Sequence, residues 1–467
     1  MSDEGLERAR DKMAGADVDP VAIEVFAHYY RLLESGETGM VPESTIEPLD
    51  MAALVDAVVS PEAARAAIST TAVVKLNGGL GTSMGLDRAK SMLEVRDGLS
   101  FLDVIVRQVL ALRREHKAPL PLIFMNSFRT NPDTLEALGR YEDLAVDGLP
   151  LGFLQNKEPK LRVDDLTPVE WPADRSLEWC PPGHGDLYTA LTGTGLLDRL
   201  IEAGYTRLFV SNSDNLGAVP DPRVAGWFAG SGAPFAIEAV RRTPSDRKGG
   251  HFAIRKADGR IVLRETAQTL EEDKEALADL TRHRFASTNN LWFDLAAMKA
   301  ELDRRDGILG LAMIKNTKTV DPGDAGSPEV VQLETAMGAA IEVFDGATTI
   351  EVGRDRFVPV KTTNDLLVLR SDGYRLTDGC ELELVSDGIP FVDLDPAYYK
   401  LVGDFDERFP EGVPSLRSAK RLRVRGDWRF GPGVTVVGEV DLDAADPASA
   451  DGAGRSAGVV EAGSILG

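Results

Sequence analysis

The sequence predicts an α/β protein, and three observations predict it. From Thr71 onward short apolar runs alternate with amphipathic stretches, the pattern of a mostly parallel sheet covered by helices. The residues before it are rich in Ala, Glu and Arg, with apolar positions at helical spacing. After about Asp378 two apolar columns recur six residues apart: Leu422, Trp428, Val434 and Val440, then Val424, Phe430, Val436 and Leu442. A six-residue period of this kind marks a short parallel β-helix built from hexapeptides. The expected organisation is a helical region over 1–70, an α/β domain over 71–378, a β-helix over 379–443 and a flexible Ala/Gly/Ser/Asp tail over 444–467.

Taken in order, Met1–Leu33 and Pro61–Ala67 read as helices, with Pro42 and Pro48 marking a loop between them. Ala72-Val73-Val74 with Leu76, then Leu122–Met125, then Leu208–Val210 read as buried strands. Phe101, Leu102, Ile105, Val109 and Leu112 place an apolar stripe on one helix face between the first two. Such sheets bind ligands beyond the carboxyl ends of their strands. The residues there are Asn77-Gly78-Gly79, Asn126-Ser127 and Ser211–Asn215, all polar or glycine, and they converge on one edge. In the C-terminal part Gly426, Gly431, Gly433 and Gly438 punctuate the columns; a β-meander with chance spacing is the alternative there.

Composition narrows the function. With 43% hydrophobic and 27% charged residues the 467-residue chain is globular, roughly three domains at ~150 residues each. No apolar run approaches the ~20 residues of a membrane helix, and Met1–Lys12 has no signal-peptide core. Cys180 and Cys380 alone make no disulfide framework, so a cytoplasmic protein is expected. Five histidines without a Cys/His cluster argue against structural zinc. The net charge of −23 repels nucleic acid and anionic membranes. A nucleoside triphosphate would also be repelled, unless local lysines, backbone amides and a divalent cation overcome that field.

The chemistry concentrates in a glycine-rich loop after the first strand. Gly78, Gly79, Gly81 and Gly85 let a ligand lie against bare N–H groups, and Lys90 adds a point charge for a phosphate oxygen. An ordinary strand-to-helix turn fits the same residues. A Walker loop is excluded, because Ala89 precedes Lys90-Ser91 and Gly85 lies one position too close; a dinucleotide fingerprint needs glycine at Met84. Asp214 follows a strand, where Mg2+ commonly takes one carboxylate and phosphate oxygens, although turn formation is the commoner cause of such a triplet. His184 between Gly183 and Gly185 has no nucleophile nearby to activate. Gln155 offers a ligand one acceptor and two donors; a solvent-facing glutamine is the commoner case. Lys361, after an apolar stretch, ordinarily snorkels to solvent.

Lys75–Gly85, Lys90 and Glu94–Asp103 resemble the signature of the eukaryotic-type UTP–glucose-1-phosphate uridylyltransferases, or UDP-glucose pyrophosphorylases: K-L-N-G-G-L-G-T-x-M-G, a lysine, then E-V-x-x-G-x-[ST]-F-L-D. Arg88-Ala89 stands where that family often has Gly-Pro. Further phrases follow in family order: Gln155 before Pro159-Lys160, Trp179–Asp186, Asn212–Ala218, Lys248–His251, Thr288–Trp292, Gln332–Ala340, Arg356–Asp365 and Pro414–Leu416. The phrase at 248–251, preceded by Arg241-Arg242-Thr243, is most similar to the trypanosomatid branch.

The resemblance implies a nucleotidyltransferase-type, Rossmann-like mixed sheet and a left-handed C-terminal β-helix. It implies a Mg2+-dependent transfer between UTP and glucose 1-phosphate, with Lys361 and Lys90 as catalytic cations and Asp214 as the metal ligand. Leu76, Asn77, Gly78, Gly79, Gly81, Gln155 and Gly183 would hold the nucleotide, Gln155 reading uracil; His184, Asn212, Glu265 and Asn290 would hold the sugar phosphate. Rival readings are a pyrophosphorylase for galactose or N-acetylglucosamine 1-phosphate, a non-catalytic nucleotide-sugar sensor, and a β-helix acyltransferase. The oligomeric state is left open.

Overall fold

A computed structural model describes residues 2–247, 249–443 and 457–467. Its centre is a seven-stranded mixed sheet: β1 (Thr71–Asn77), β2 (Leu122–Asn126), β3 (Gly152–Leu154), β4 (Arg207–Asn212), β5 (Phe235–Arg241), β6 (Phe285–Asp294) and β7 (Thr348–Glu351), in the order β7-β5-β6-β4-β1-β2-β3. Neighbours β4-β1-β2-β3 run parallel, and β6 lies antiparallel between β4 and β5. Both faces are covered, so β2 is buried at every position, which is why it reads as an unbroken apolar run. Val73, Phe124 and Phe209 pack on one face, Ala72, Val74, Ile123 and Val210 on the other.

The helix expected after the glycine loop is α4 (Phe101–His116), following α1 (Ser2–Ala14), α2 (Pro20–Glu34) and α3 (Pro61–Ser69). Ser100 and Asp103 close its start as a reciprocal capping box, and Phe101, Leu102, Ile105, Val109 and Leu112 are all buried. The helix expected over Met1–Leu33 is two helices. The chain turns at Asp17, which has φ 55°, and α2 restarts from Asp19, whose carboxylate caps Val21, with Pro20 in the first turn. The segment expected as a loop holds a short strand, Ile46–Pro48, paired antiparallel with His251–Arg255. Its proline is tolerated because the strand lies at the edge of a three-stranded sheet.

Beyond residue 378 lies a stack of parallel strands: β8 (Phe391–Leu394), β9 (Ser415–Arg425), β11 (Thr435–Asp443) and β13 (Ile465–Leu466) in one sheet, β10 (Asp427–Phe430) and β12 (Ala457–Val460) in a second. Leu422 pairs with Val440 and Val424 with Leu442, so three hexapeptides separate equivalent positions. The tail expected to be flexible from 444 onward is corrected at its end. Residues 457–460 and 465–466 are strands that add rungs to both sheets, and the Trp428 ring lies where a Cβ on Gly458 would stand. Residues 444–456 of that tail, and Lys248 of the 248–251 phrase, lie outside the described residues. Among the described residues no helix is long and apolar enough to cross a membrane.

Candidate active site

The carboxyl ends of β1, β2 and β4 meet, held by their own polar side chains. Asn77 donates to Asn126 Oδ1 (2.9 Å) and Thr134 Oγ1 (2.9 Å), and accepts from Ser213 Oγ (3.3 Å). The Ser213 N–H donates to the Leu76 carbonyl at 3.1 Å. The Asn77 side chain is therefore committed to joining strands, and its part in ligand binding falls to the backbone of the loop it starts. There Gly81 and Gly85 have φ of 65° and 78°, which favours glycine. The Gln155 amide lies directly over Gly78: a Cβ there would stand 2.8 Å from its Nε2. Gln155 is itself set by its N–H on the Asn126 carbonyl, 2.8 Å. Asn156, next to it, gives both its N–H and its amide to Asp186, at 2.6 and 2.8 Å. Burial pushes the Asp186 carboxyl up to about 7.

Lys90 reaches across the loop to Asp214 Oδ2 (2.9 Å) and to the Val360 carbonyl. The Asp214 carbonyl in turn accepts the Val360 N–H at 3.1 Å, and Asn215 bridges Pro359 in antiparallel fashion. Lys90, Asp214 and the segment leading into Lys361 thus form one junction from three distant parts of the chain. Lys361 is exposed, its backbone N–H on Asp365 Oδ2 (2.8 Å), and no carboxylate among the described residues pairs with its ammonium. Burial raises the Glu265 carboxyl above its ordinary value, and the Lys361 charge offsets only part of that rise. The Glu265 carboxylate lies over Gly250, within 2.6 Å of where a Cβ would be.

The Pro182–Asp186 loop passes against Thr335. At Gly183, with φ 78°, a Cβ would stand 2.6 Å from the Thr335 carbonyl oxygen. His184 Nδ1 accepts the Met337 N–H at 3.0 Å, which assigns the ring proton to Nε2 as a donor. Burial holds its pKa down to about 4, so the ring is neutral at pH 7. Asn290 donates to Glu238 Oε2 at 3.0 Å, while its buried Oδ1 has no partner. Asn212 ends β4 opposite Leu76 of β1, and its carbonyl accepts the Asn215 N–H at 3.4 Å.

Sequence reasoning missed the supports. Arg356 gives two 2.6 Å bonds to the fully buried Glu238, which also accepts from Trp292 Nε1 at 2.9 Å. Asn126, Asn156 and Asp186 set the Gln155 loop. Arg356, Trp292 and Asp186 stand inside quoted phrases and Asn126 at a strand end, but nothing in the sequence marks their partners.

As for a metal, no group of three or more His, Cys, Asp or Glu among the described residues could cage one. A single partly exposed carboxylate, Asp214, fits an ion that brings most of its ligands as phosphate oxygens and water. Glycine backbone, two lysines and one carboxylate at the carboxyl ends of β1, β2 and β4 are the chemistry of a phosphoryl-handling α/β protein.

The comparisons give that class a family. A profile described as UTP–glucose-1-phosphate uridylyltransferase matches residues 23–437. A protein of Schizosaccharomyces pombe, described as a probable UTP–glucose-1-phosphate uridylyltransferase, is 39% identical over 384 residues, 81% of this chain and 74% of its own. The barley enzyme of that name is 37% identical over 387 residues, 82% of this chain and 79% of its own. A UDP-glucose phosphorylase from Trypanosoma brucei superposes with a TM-score of 0.91 at 39% identity, covering 99% of this chain and 98% of its own. A UDP-glucose pyrophosphorylase variant from Leishmania major, solved with UDP-glucose, gives 0.91 at 40% identity with the same coverage. The chain belongs to the UTP–glucose-1-phosphate uridylyltransferase family, a family of nucleotidyltransferases.

Proposed function

We propose that this protein transfers a uridylyl group from UTP to α-D-glucose 1-phosphate, releasing pyrophosphate. The observation that carries the proposal is the junction of Lys90, Asp214 and Val360, which brings the glycine loop, the Asp214 turn and Lys361 to one place. The sugar phosphate is already an ionised nucleophile at neutral pH, so the reaction asks for no general base. In-line attack on the α-phosphorus forms one P–O bond and breaks the bond to pyrophosphate; the protein's work is alignment and charge neutralisation.

Lys361, free of a carboxylate partner, is assigned to the α-phosphate and sugar phosphate, and Lys90 to the departing β- and γ-phosphates. With the triphosphate in place Lys90 would turn from Asp214 to phosphate oxygens, and Asp214 would hold Mg2+, which would there offset phosphate charge. The 77–81 backbone and Gly183 hold the nucleotide and Gln155 reads uracil. His184 Nε2–H, Asn212, Asn290 through its unpartnered Oδ1, and Glu265 are assigned to the sugar phosphate.

We read the C-terminal stack as a left-handed β-helix, supported by three hexapeptides between paired positions, and the central sheet as Rossmann-like. A placement nearer the trypanosomatid branch draws support from the Trypanosoma and Leishmania structures, each covered over 98% of its length. Acidic charge and the lack of a membrane-length apolar helix among the described residues support a cytoplasmic setting.

Pyrophosphate release with UTP, Mg2+ and a panel of sugar 1-phosphates tests the reading. Release with glucose 1-phosphate is expected. Tight UTP binding without release from any sugar would instead make the protein a sensor.

A further inference from the structure

Lys75 lies in the middle of β1, on the face that carries Val73 and Asn77, and is 1% exposed. Its ammonium donates to Ser211 Oγ at 2.8 Å and to the Ala218 carbonyl at 2.6 Å, and stands 5.9 Å over the Phe209 ring. Both oxygen partners are neutral. The nearby carboxylate of Glu238 is engaged by Arg356, Asn290 and Trp292. Burial first, then the Arg356 charge, push the Lys75 pKa down to about 7, with Glu238 and Asp214 pulling it back. A charge so placed costs stability, and an apolar side chain of similar length would pack there more cheaply.

The two acceptors explain its position. Ser211 and Ala218 are the two ends of the turn that carries Asp214. That turn is fastened to the strand leading to Lys361 by the Asn215–Pro359 bridge, by Val358 N–H on Asn215 Oδ1 (2.9 Å) and by Asn215 Nδ2 on the Arg356 carbonyl (3.1 Å). Gly217 lies so close to Asp355 that a Cβ would stand 2.2 Å from its carbonyl oxygen. Two residues beyond Lys75, the same strand ends in Asn77 and becomes the glycine loop. One ammonium therefore spans the elements that bear the nucleotide backbone, Asp214 and, through Asn215, Lys361.

We propose that Lys75 is a positioning residue for uridylyl transfer: clasping both ends of the Asp214 turn, it sets Asp214 and Lys361 in register with the glycine loop. The inference rests on the roles given above to Asp214 and Lys361, and its test separates the two. Lys75→Met, Ser211→Ala and Lys361→Ala are compared for thermal unfolding and for kcat and KM with UTP. Lys75→Met should fold with its Tm little changed, since the relief of a buried charge is offset by the Ala218 carbonyl left without a donor. Its kcat should fall about 100-fold, the cost of a displacement near 1 Å among reacting groups, with the loss larger in kcat than in KM. Ser211→Ala, which leaves Lys75 one acceptor, should lose kcat in the same direction by less.

Wild-type kcat in a folded Lys75→Met protein, beside an inactive Lys361→Ala, would overturn the inference alone. Wild-type kcat in Lys361→Ala would overturn the underlying reading of the site. If Lys75→Met does not fold, Ser211→Ala decides: reduced kcat in a folded protein supports the clasp, and unchanged kcat removes it.

Discussion

Glu43, half-buried between Arg264 and Arg282, and Glu238, fully buried against Arg356, are both paired carboxylates, yet their surroundings treat charge in opposite ways. Glu43 accepts from Arg282 (2.6 Å), His283 (2.9 Å) and Arg264 (2.7 Å), and Arg264 also donates to His251, whose ring stacks 3.7 Å from that of His283. Burial opposes ionisation of Glu43, but the bonds from Arg282 and His283 with the Arg264 charge bring it down to about 2. Beside Glu238 the surroundings oppose a charge instead, holding Lys75 at about 7 and leaving Asn290 Oδ1 without a partner. The first cluster clasps the N-terminal segment to the hairpin before Glu265 and favours the folded state. The second carries a destabilised cation under the reaction site, which is what a protein retains for activity rather than stability.

Four substitutions break or sharpen this contrast, taken from the largest effect down. Lys361→Ala should lower kcat about 1,000-fold, the usual loss for one preorganised charge-stabilising group, with circular dichroism unchanged; a full-rate variant would remove Lys361 from the chemistry. Glu238→Gln leaves Arg356 without its carboxylate and should cost about 3–5 kcal/mol in denaturant unfolding, with kcat falling because Arg356 and Asn290 shift. Glu43→Gln acts on a more exposed cluster and should cost only about 1.5–3 kcal/mol, the worth of hydrogen bonds to a charged group, with kcat near wild type below the melting transition. Equal kinetic losses in these two variants would erase the distinction between clasp and site.

The smallest effect is a pH slope. Burial, then the neighbouring His283, holds the His251 pKa at about 3, against 6.5 for the free side chain. The unfolded chain therefore binds a proton below 6.5 that the folded chain refuses, and stability is full above 6.5 and drains as pH falls toward 3. His184 and Asp186 also titrate differently on folding in this range, but equally in both proteins, so the difference between wild type and His251→Gln isolates the His251 contribution. His251→Gln should reduce the slope there by up to about 1.4 kcal/mol per pH unit. Unfolding curves at pH 7 and pH 5 with identical differences in both proteins would refute it.

What the sequence made legible follows from the same physics. Strands buried on both faces have to be apolar, so β1, β2 and β4 stand out, and one-sided burial stripes α4. The hexapeptide columns are visible because each side of a coil repeats its inward residue. The last rungs are not, since Gly458 gives its place to Trp428 and residues 465–466 are too short a run to show a period. Gln155, Asp214 and Lys361 follow apolar runs and Lys90 follows the glycine loop, but only the resemblance to the family's phrases singles them out. Lys75 could not be found that way: a lysine inside a strand has no meaning until Ser211 and Ala218, 136 and 143 residues away, are seen beside it. The acceptor state of His184 is hidden likewise, because its partner Met337 lies 153 positions on.

The Glu43 clasp also imposes an order of events on synthesis. His283 follows Glu43 by 240 positions. At ~5–20 residues per second the ribosome needs roughly 12–48 s to deliver it. Until His251–Arg255 is made Ile46–Pro48 has no strand to pair with, and Glu43 gains its donors only as Arg264, Arg282 and His283 follow, so this early segment waits on residues far along the chain. Nascent chains halted before His283 should be cut by protease near residue 46, and chains halted well after it should resist; equal resistance in both would show that the segment docks without its clasp.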